Sequence, residues 1–236
     1  MLSNSYLALI ITFAAALIWL RINDFAAHRG WISSHLSRKI IHMGTGPIFV
    51  LCWLLFPGNT YDRYLAALVP GLITFQFAGV GLGIIKDEAA VQAMSRTGDR
   101  REILRGPLFY GIIFVLLTLI YWNDSPIGMV ALMLMCGGDG LADIIGRRFG
   151  KKKLPWAENK TWAGSLGMFV GGWIFAVGIL GGYLLFDIFA GPLAAYILPI
   201  TVIAFCGMLV ESLPIRDVDN LTVTLTAVVL GHLFLH

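Results

Sequence analysis

The chain has 236 residues, of which 58% are hydrophobic and 13% charged, where soluble globular domains run at about 45–50% apolar and about 25% charged. Its mean hydropathy is +0.79, and 17 Lys+Arg with 14 Asp+Glu cannot cover the surface that a water-soluble globule would expose. The net charge of +3 is too small to point to nucleic acid, and each charge in so apolar a chain needs a reason.

Apolar runs punctuated by charge, Pro and Gly predict an all-α polytopic membrane bundle of seven or eight helices, forming a single domain over 1–236. The spans lie near 4–21, 40–57, 64–85, 106–122, 127–146, 163–185, 188–210 and 220–236. The first run lacks a basic leader and a small-residue cleavage site, so it reads as a retained helix. The second, fifth and last are the weakest, because they carry polar residues or are barely long enough. Pro107 suits the start of the fourth helix, and Pro192 and Pro199 predict kinks in the seventh. Cys52, Cys136 and Cys206 lie far apart in apolar runs and read as buried free thiols.

With the N-terminus outside, the inner loops collect Arg21, Arg29, Arg38 and Lys39, then Lys86, Arg96, Arg100, Arg101 and Arg105. They also collect Arg147, Arg148, Lys151, Lys152, Lys153 and Lys160, and finally Arg216. Only Arg63 of the 17 basic residues is left outside. The positive-inside rule therefore places the basic loops in the cytoplasm.

The densest polar motif is on that face. It runs from Gly137-Gly138-Asp139-Gly140-Leu141-Ala142-Asp143 to Gly146-Arg147-Arg148-Phe149-Gly150-Lys151-Lys152-Lys153, with Lys160-Thr161 beyond it. Asp139 and Asp143 are four apart, so a helix projects both from one face. Paired carboxylates beside apolar spans need a cation, and magnesium favours one or two carboxylates plus substrate phosphates. Gly138 and Gly140 would let backbone and phosphate approach closely. Together with the basic run, these residues point to a nucleotide-triphosphate site. The acid pair by itself also suits a coupling-ion site in a transporter, and the basic run by itself a topology signal. No Walker A, Gly-x-Ser-x-Gly or His-Glu-x-x-His motif occurs, and Gly79-Val80-Gly81-Leu82-Gly83 reads as helix packing.

Three further clusters share this face. Arg38, Lys39 and His42 open the second span, with His28 and His35 upstream at seven-residue intervals that Gly30 interrupts. They read equally as snorkelling side chains or as phosphate contacts. Arg101-Glu102 and Arg105-Gly106-Pro107 precede the fourth span. Glu211-Ser212-Leu213-Pro214 ends the seventh, and Asp217, Asp219 and Asn220 read as either loop and capping residues or site residues.

The motif Gly138-Asp139-Gly140-Leu141-Ala142-Asp143 through Gly150, followed by Lys160-Thr161-Trp162-Ala163-Gly164-Ser165, resembles the core of the phytol kinase and dolichol kinase family. Arg38-Lys39-Ile40-Ile41-His42, Arg105-Gly106-Pro107-Leu108-Phe109-Tyr110 and Glu211-Ser212-Leu213-Pro214 with Asp219-Asn220 match in family order over roughly residues 38–220. Chain length and Gly-Arg-Arg-Phe-Gly are closer to phytol kinases. The resemblance implies a polytopic enzyme that phosphorylates an isoprenoid alcohol, phytol first, from CTP with Mg2+ at the cytoplasmic face of a prokaryotic plasma or thylakoid membrane. It implies that Asp139 and Asp143 position the metal, and that Lys160, Arg147, Arg148, Lys151, Lys152 and Lys153 offset phosphate charge. Glu211 is then a base or second acidic ligand, Arg38, Lys39 and His42 are further phosphate contacts, and Gly138, Gly140 and Thr161 line the nucleotide. Phosphatidate cytidylyltransferases share a distant CTP-binding pattern and are the alternative. Their C-terminal Gly-Gly-x-x-Asp-Arg-x-Asp-Ser-like signature is missing from this sequence, which favours phosphoryl transfer.

Overall fold

The protein is described by a computed structural model covering residues 1–95, 98–214 and 219–235. Arg96, Arg216 and Asp217 lie outside the described residues. Each expected apolar run is helical: α1 (Ser5–His28), α2 (Ser34–Trp53), α3 (Asp62–Leu82), α5 (Gly106–Ile120), α8 (Trp162–Leu185), α9 (Leu193–Glu211) and α10 (Asp219–Phe234). The fifth run forms α6 (Pro126–Met133) and α7 (Asp139–Phe149), joined by a π-helical turn at Leu134–Gly138. A short α4 (Glu88–Met94) and a 3-10 turn (Arg100–Leu104) connect α3 to α5, and a hairpin of β1 (Lys153–Leu154) and β2 (Ala157–Thr161) connects α7 to α8.

Among the described residues six helical stretches are long and apolar enough to cross a membrane. α2 falls short because its first turns carry His35, Arg38, Lys39 and His42, and α10 has 16 residues. Local chemistry sets the boundaries. Asn4, Ser33, Ser125 and Thr161 place side-chain oxygens on the first free N–H groups of α1, α2, α6 and α8. Pro107 stands in the first turn of α5 and Pro192 caps α9, with Pro199 inside it.

The α6–π–α7 helix is the axis of the bundle. Every residue from Pro126 to Gly138 is buried, which is why this span reads as apolar all round rather than amphipathic. α8 packs against it through small residues: Gly164 lies by the Ala142 carbonyl, Gly167 by the Leu141 carbonyl and Gly171 by the Gly137 carbonyl. A Cβ on Gly171 would run into backbone, which cannot swing away as a side chain can. Gly171→Val is expected to cost about 1–3 kcal/mol or more, read as a lowered melting midpoint in detergent, whereas Gly178→Val, where nothing lies within 4 Å, leaves the midpoint unchanged.

The two ends of the bundle differ in chemistry. At one end Arg63 pairs with Asp124 at 2.6 Å, Tyr121 meets His232 at 2.9 Å and Asn59 meets Ser5 at 3.2 Å. The starts of α2 and α10, α7, the end of α9 and the hairpin meet at the other end, around the ion pairs of Asp139, Asp143 and Lys160. Arg63, the one basic residue expected outside, is thus separated by the length of the bundle from the basic loops, as alternating spans require.

Candidate active site

Asp139 is the first residue after the π-turn, and Asp143 stands one turn later on α7. A π-turn adds a residue to a helical turn and so re-aims the side chains beyond it. Both carboxylates face α2. Asp139 Oδ2 receives Lys39 Nζ at 3.0 Å and lies 3.3 Å from His42 Nε2. Asp143 holds His35 Nε2 at 3.1 Å through Oδ2 and Arg147 Nε at 3.0 Å through Oδ1. His35, ahead of the apolar part of α2, is held below the ordinary imidazole range by its burial, with Asp143 pulling the other way.

A second cluster adjoins the first. Lys160, on β2, reaches across to Glu211 Oε1 at 2.9 Å and Asp219 Oδ2 at 3.3 Å, and also donates to the Glu211 carbonyl. Glu211 ends α9 and Asp219 starts α10, so one lysine draws three elements together. Thr161, next to Lys160, lies against Gly146 on α7, so the two clusters are neighbours. Exposures of 16% for the Lys160 side chain and 11% for Glu211 mean that water screens this pair far less than a surface ion pair.

Tyr110 supports the α2 side. Its hydroxyl donates to the His42 carbonyl at 2.8 Å and lies 3.2 Å from Cys136 Sγ, inside the π-turn. Cys52 and Cys136 are buried free thiols, as expected, while Cys206 is half-buried.

The remaining expected residues take other places. Gly138 packs on Met168 and Gly140 on Met43, so both glycines serve close packing of helices here. The Thr161 hydroxyl caps α8 by accepting from Gly164 N at 3.1 Å. Arg38 donates to the Ser95 carbonyl at 3.2 Å, fastening the end of α4 to α2. Arg148 lies over the Phe149 ring at 5.5 Å, and Lys151, Lys152 and Lys153 are exposed on the hairpin side.

Three participants were not singled out as site residues from the sequence. His35 carried a signal, its seven-residue spacing from His42. Gly30, at φ +73, lies in the turn between α1 and α2, so it separates His28 from the pair and leaves His35 and His42 on one helix. Asp219 reads from the sequence as cap or site residue, and its ion pair with Lys160 places it beside Glu211. Tyr110 carried no signal beyond its place in a family motif.

Among the described residues no three His, Cys, Asp or Glu side chains converge as a metal cage. Two carboxylates one helical turn apart nevertheless supply the hard oxygen donors that magnesium takes alongside phosphate, so Asp139 and Asp143 fit that ion as a pair completed by substrate.

Comparison with known proteins decides the family. A probable phytol kinase 3, chloroplastic, of Glycine max is 41% identical over 227 residues, covering 95% of this chain and 71% of that one. A farnesol kinase, chloroplastic, of Arabidopsis thaliana is 40% identical over 226 residues, covering 95% and 72%. The chain belongs to the phytol kinase family. It is accordingly a phosphotransferase with an alcohol acceptor, and neither the cytidylyltransferase nor the transporter reading is favoured. A phytol kinase 1, chloroplastic, of Arabidopsis thaliana is 37% identical over 207 residues, covering 87% and 68%. No family model matches the chain, and no solved structure matches it.

Proposed function

We propose that this phytol kinase family member transfers the γ-phosphoryl group of CTP to an isoprenoid alcohol, phytol first, at the cytoplasmic face of its membrane. The observation that carries this reading is the gathering of Asp139, Asp143, Lys39, His42, Lys160 and Glu211 from four separate segments at the basic end of an apolar bundle. Relatives named as phytol and farnesol kinases supply the class of acceptor. Their chloroplast designation argues for a photosynthetic membrane, and nothing supports a prokaryotic plasma membrane.

The acceptor's apolar tail stays among the spans or in lipid, and its hydroxyl meets the nucleotide at the polar end. Lys39 and Lys160 are each held by carboxylates, so they are already in place for phosphate oxygens. Arg147, more exposed on the rim, joins them, and Lys151, Lys152 and Lys153 raise the local concentration of a polyanion. Magnesium held by Asp139 and Asp143 would offset charge on the transferring group. The acceptor oxygen forms its bond to the γ-phosphorus as the bond to the β-phosphate oxygen breaks. Glu211 accepts the hydroxyl proton, and CDP leaves. Because such transfer is largely positioning and charge stabilisation, a site of preset ion pairs is sufficient machinery.

The test gives purified protein CTP labelled at either the α or the γ phosphate, with phytol, geranylgeraniol or farnesol as acceptor. Label from the γ position in the lipid is expected. Label from the α position would mean nucleotidyl transfer and overturn the reading. Parallel runs with UTP and ATP identify the donor.

A further inference from the structure

The hairpin beside the site and the start of α8 each carry an exposed tryptophan. Trp156, in the hairpin turn, is 48% exposed, and Trp162, opening α8, is 53% exposed. Their rings meet edge to face, with centroids 5.7 Å apart and planes at 78°. Trp156 donates its one N–H to the Ser212 carbonyl at 3.1 Å, and Ser212 follows Glu211. Four residues along, Lys160 reaches Glu211 and Asp219. The hairpin thus delivers an indole ring and an ammonium to the same end of α9.

A tryptophan in a membrane-interface belt keeps its N–H on the wet side and its ring in the apolar layer. Trp156 instead spends its N–H on the Ser212 carbonyl, and ring surface is what it leaves exposed. The surroundings are basic as well: Arg147, Arg148, Lys151, Lys152 and Lys153 are exposed on the adjoining end of α7, the approach to β1 and the start of β1. An isoprenoid tail has no use for these cations. A nucleotide has both a polyanionic end and a flat π face.

We propose that Trp156, braced by its edge-to-face contact with Trp162, is the platform on which the base of the donor nucleotide stacks while its phosphates extend toward Lys160 and Asp139. This rests on the nucleotide-dependent kinase reading and adds to it where the base lies. Stacking on an indole is tolerant of base identity, so the platform supplies affinity, and discrimination among CTP, UTP and ATP falls to groups at the base edge.

The test uses the full chain in lipid nanodiscs and compares wild type, Trp156→Ala and Trp156→Phe. It measures KM for the nucleotide and for the alcohol, and inhibition by inorganic tripolyphosphate, which has the phosphates and no base. In Trp156→Ala the nucleotide KM is expected to rise roughly fivefold to a hundredfold, with alcohol KM and tripolyphosphate inhibition unchanged. Trp156→Phe keeps an aromatic face without the N–H, and is expected to stay within about threefold of wild type. Equal damage in both variants would assign the effect to the Ser212 bond and overturn the platform. So would an unchanged nucleotide KM in Trp156→Ala, a parallel loss of tripolyphosphate inhibition, or a rise confined to the alcohol KM, as a lipid-anchoring ring would give. A wild-type chain that uses no nucleoside triphosphate overturns the kinase reading and the platform with it. An active wild type with an unaffected Trp156→Ala overturns the platform alone.

Discussion

Asp139→Asn is expected to lower kcat for phosphoryl transfer by roughly a hundredfold to a thousandfold, with the protein still extracted as a folded species. The substitution keeps the shape of the side chain and removes its charge. Asp139 holds Lys39 at 3.0 Å and His42 at 3.3 Å, so the loss also unbalances a cation whose own side chain is only 17% exposed. Asp143→Asn removes the second carboxylate proposed for magnesium and is also expected to lower kcat, with little change in folding, because its partners His35 and Arg147 are 34% and 65% exposed and exposed ion pairs are worth about 0–1 kcal/mol. The measurement is γ-label transfer to the lipid alcohol in nanodiscs, beside the gel-filtration profile. Full activity in both variants would remove these carboxylates from the mechanism.

Lys160→Met is the second large effect. It leaves Glu211 and Asp219 facing one another without their shared cation, and the Glu211 side chain is 11% exposed. Breaking a buried pair from one side costs about 3–5 kcal/mol, so the melting midpoint falls together with activity. Lys160→Met combined with Glu211→Gln isolates the structural role. The double variant removes one charge of each sign and is expected to recover most of the lost stability. Its turnover, compared with that of Glu211→Gln alone, reads what Lys160 adds to the transfer, and an equal turnover would make Lys160 a structural cation with no part in it.

Much of this site was legible because its acids are local. Asp139 and Asp143 share a face of one helix by spacing alone, and their neighbouring glycines and cations mark the segment as more than a span. Their partners were legible only as a residue class. Lys39 meets Asp139 across 100 residues and Lys160 meets Asp219 across 59. Periodicity identifies which face of a helix is polar, and carries no record of which distant helix will face it.

His35 illustrates the difference. Its spacing from His42 was visible, but whether the two shared a helix depended on where α1 ended, and Gly30 in the left-handed region settled that in the fold. Gly138 and Gly140 make the converse case. A glycine beside an acid reads as room for a phosphate, and the fold adds that Met168 and Met43 pack where a side chain would otherwise stand. The π-turn was also invisible beforehand, since an extra residue in a turn leaves an all-apolar run looking unchanged.

Composition and charge order by themselves determined that this chain is a membrane bundle with its basic loops at one end, because hydrocarbon tolerates apolar helices and unpaired charge is expelled from it. The acid pair and the family motifs followed from helical geometry and from likeness to known kinases. Only the tertiary structure decided that α2, α7, β2, α9 and α10 converge so that Asp139, Glu211 and Asp219 each meet a lysine from a distant segment, at 2.9 to 3.3 Å. The physical reason is close packing. Helix-to-helix contacts are chosen by glycine notches and by the volumes that fill them, such as Gly171 on Gly137 and Met43 on Gly140. Those choices exist only once the helices have been brought together.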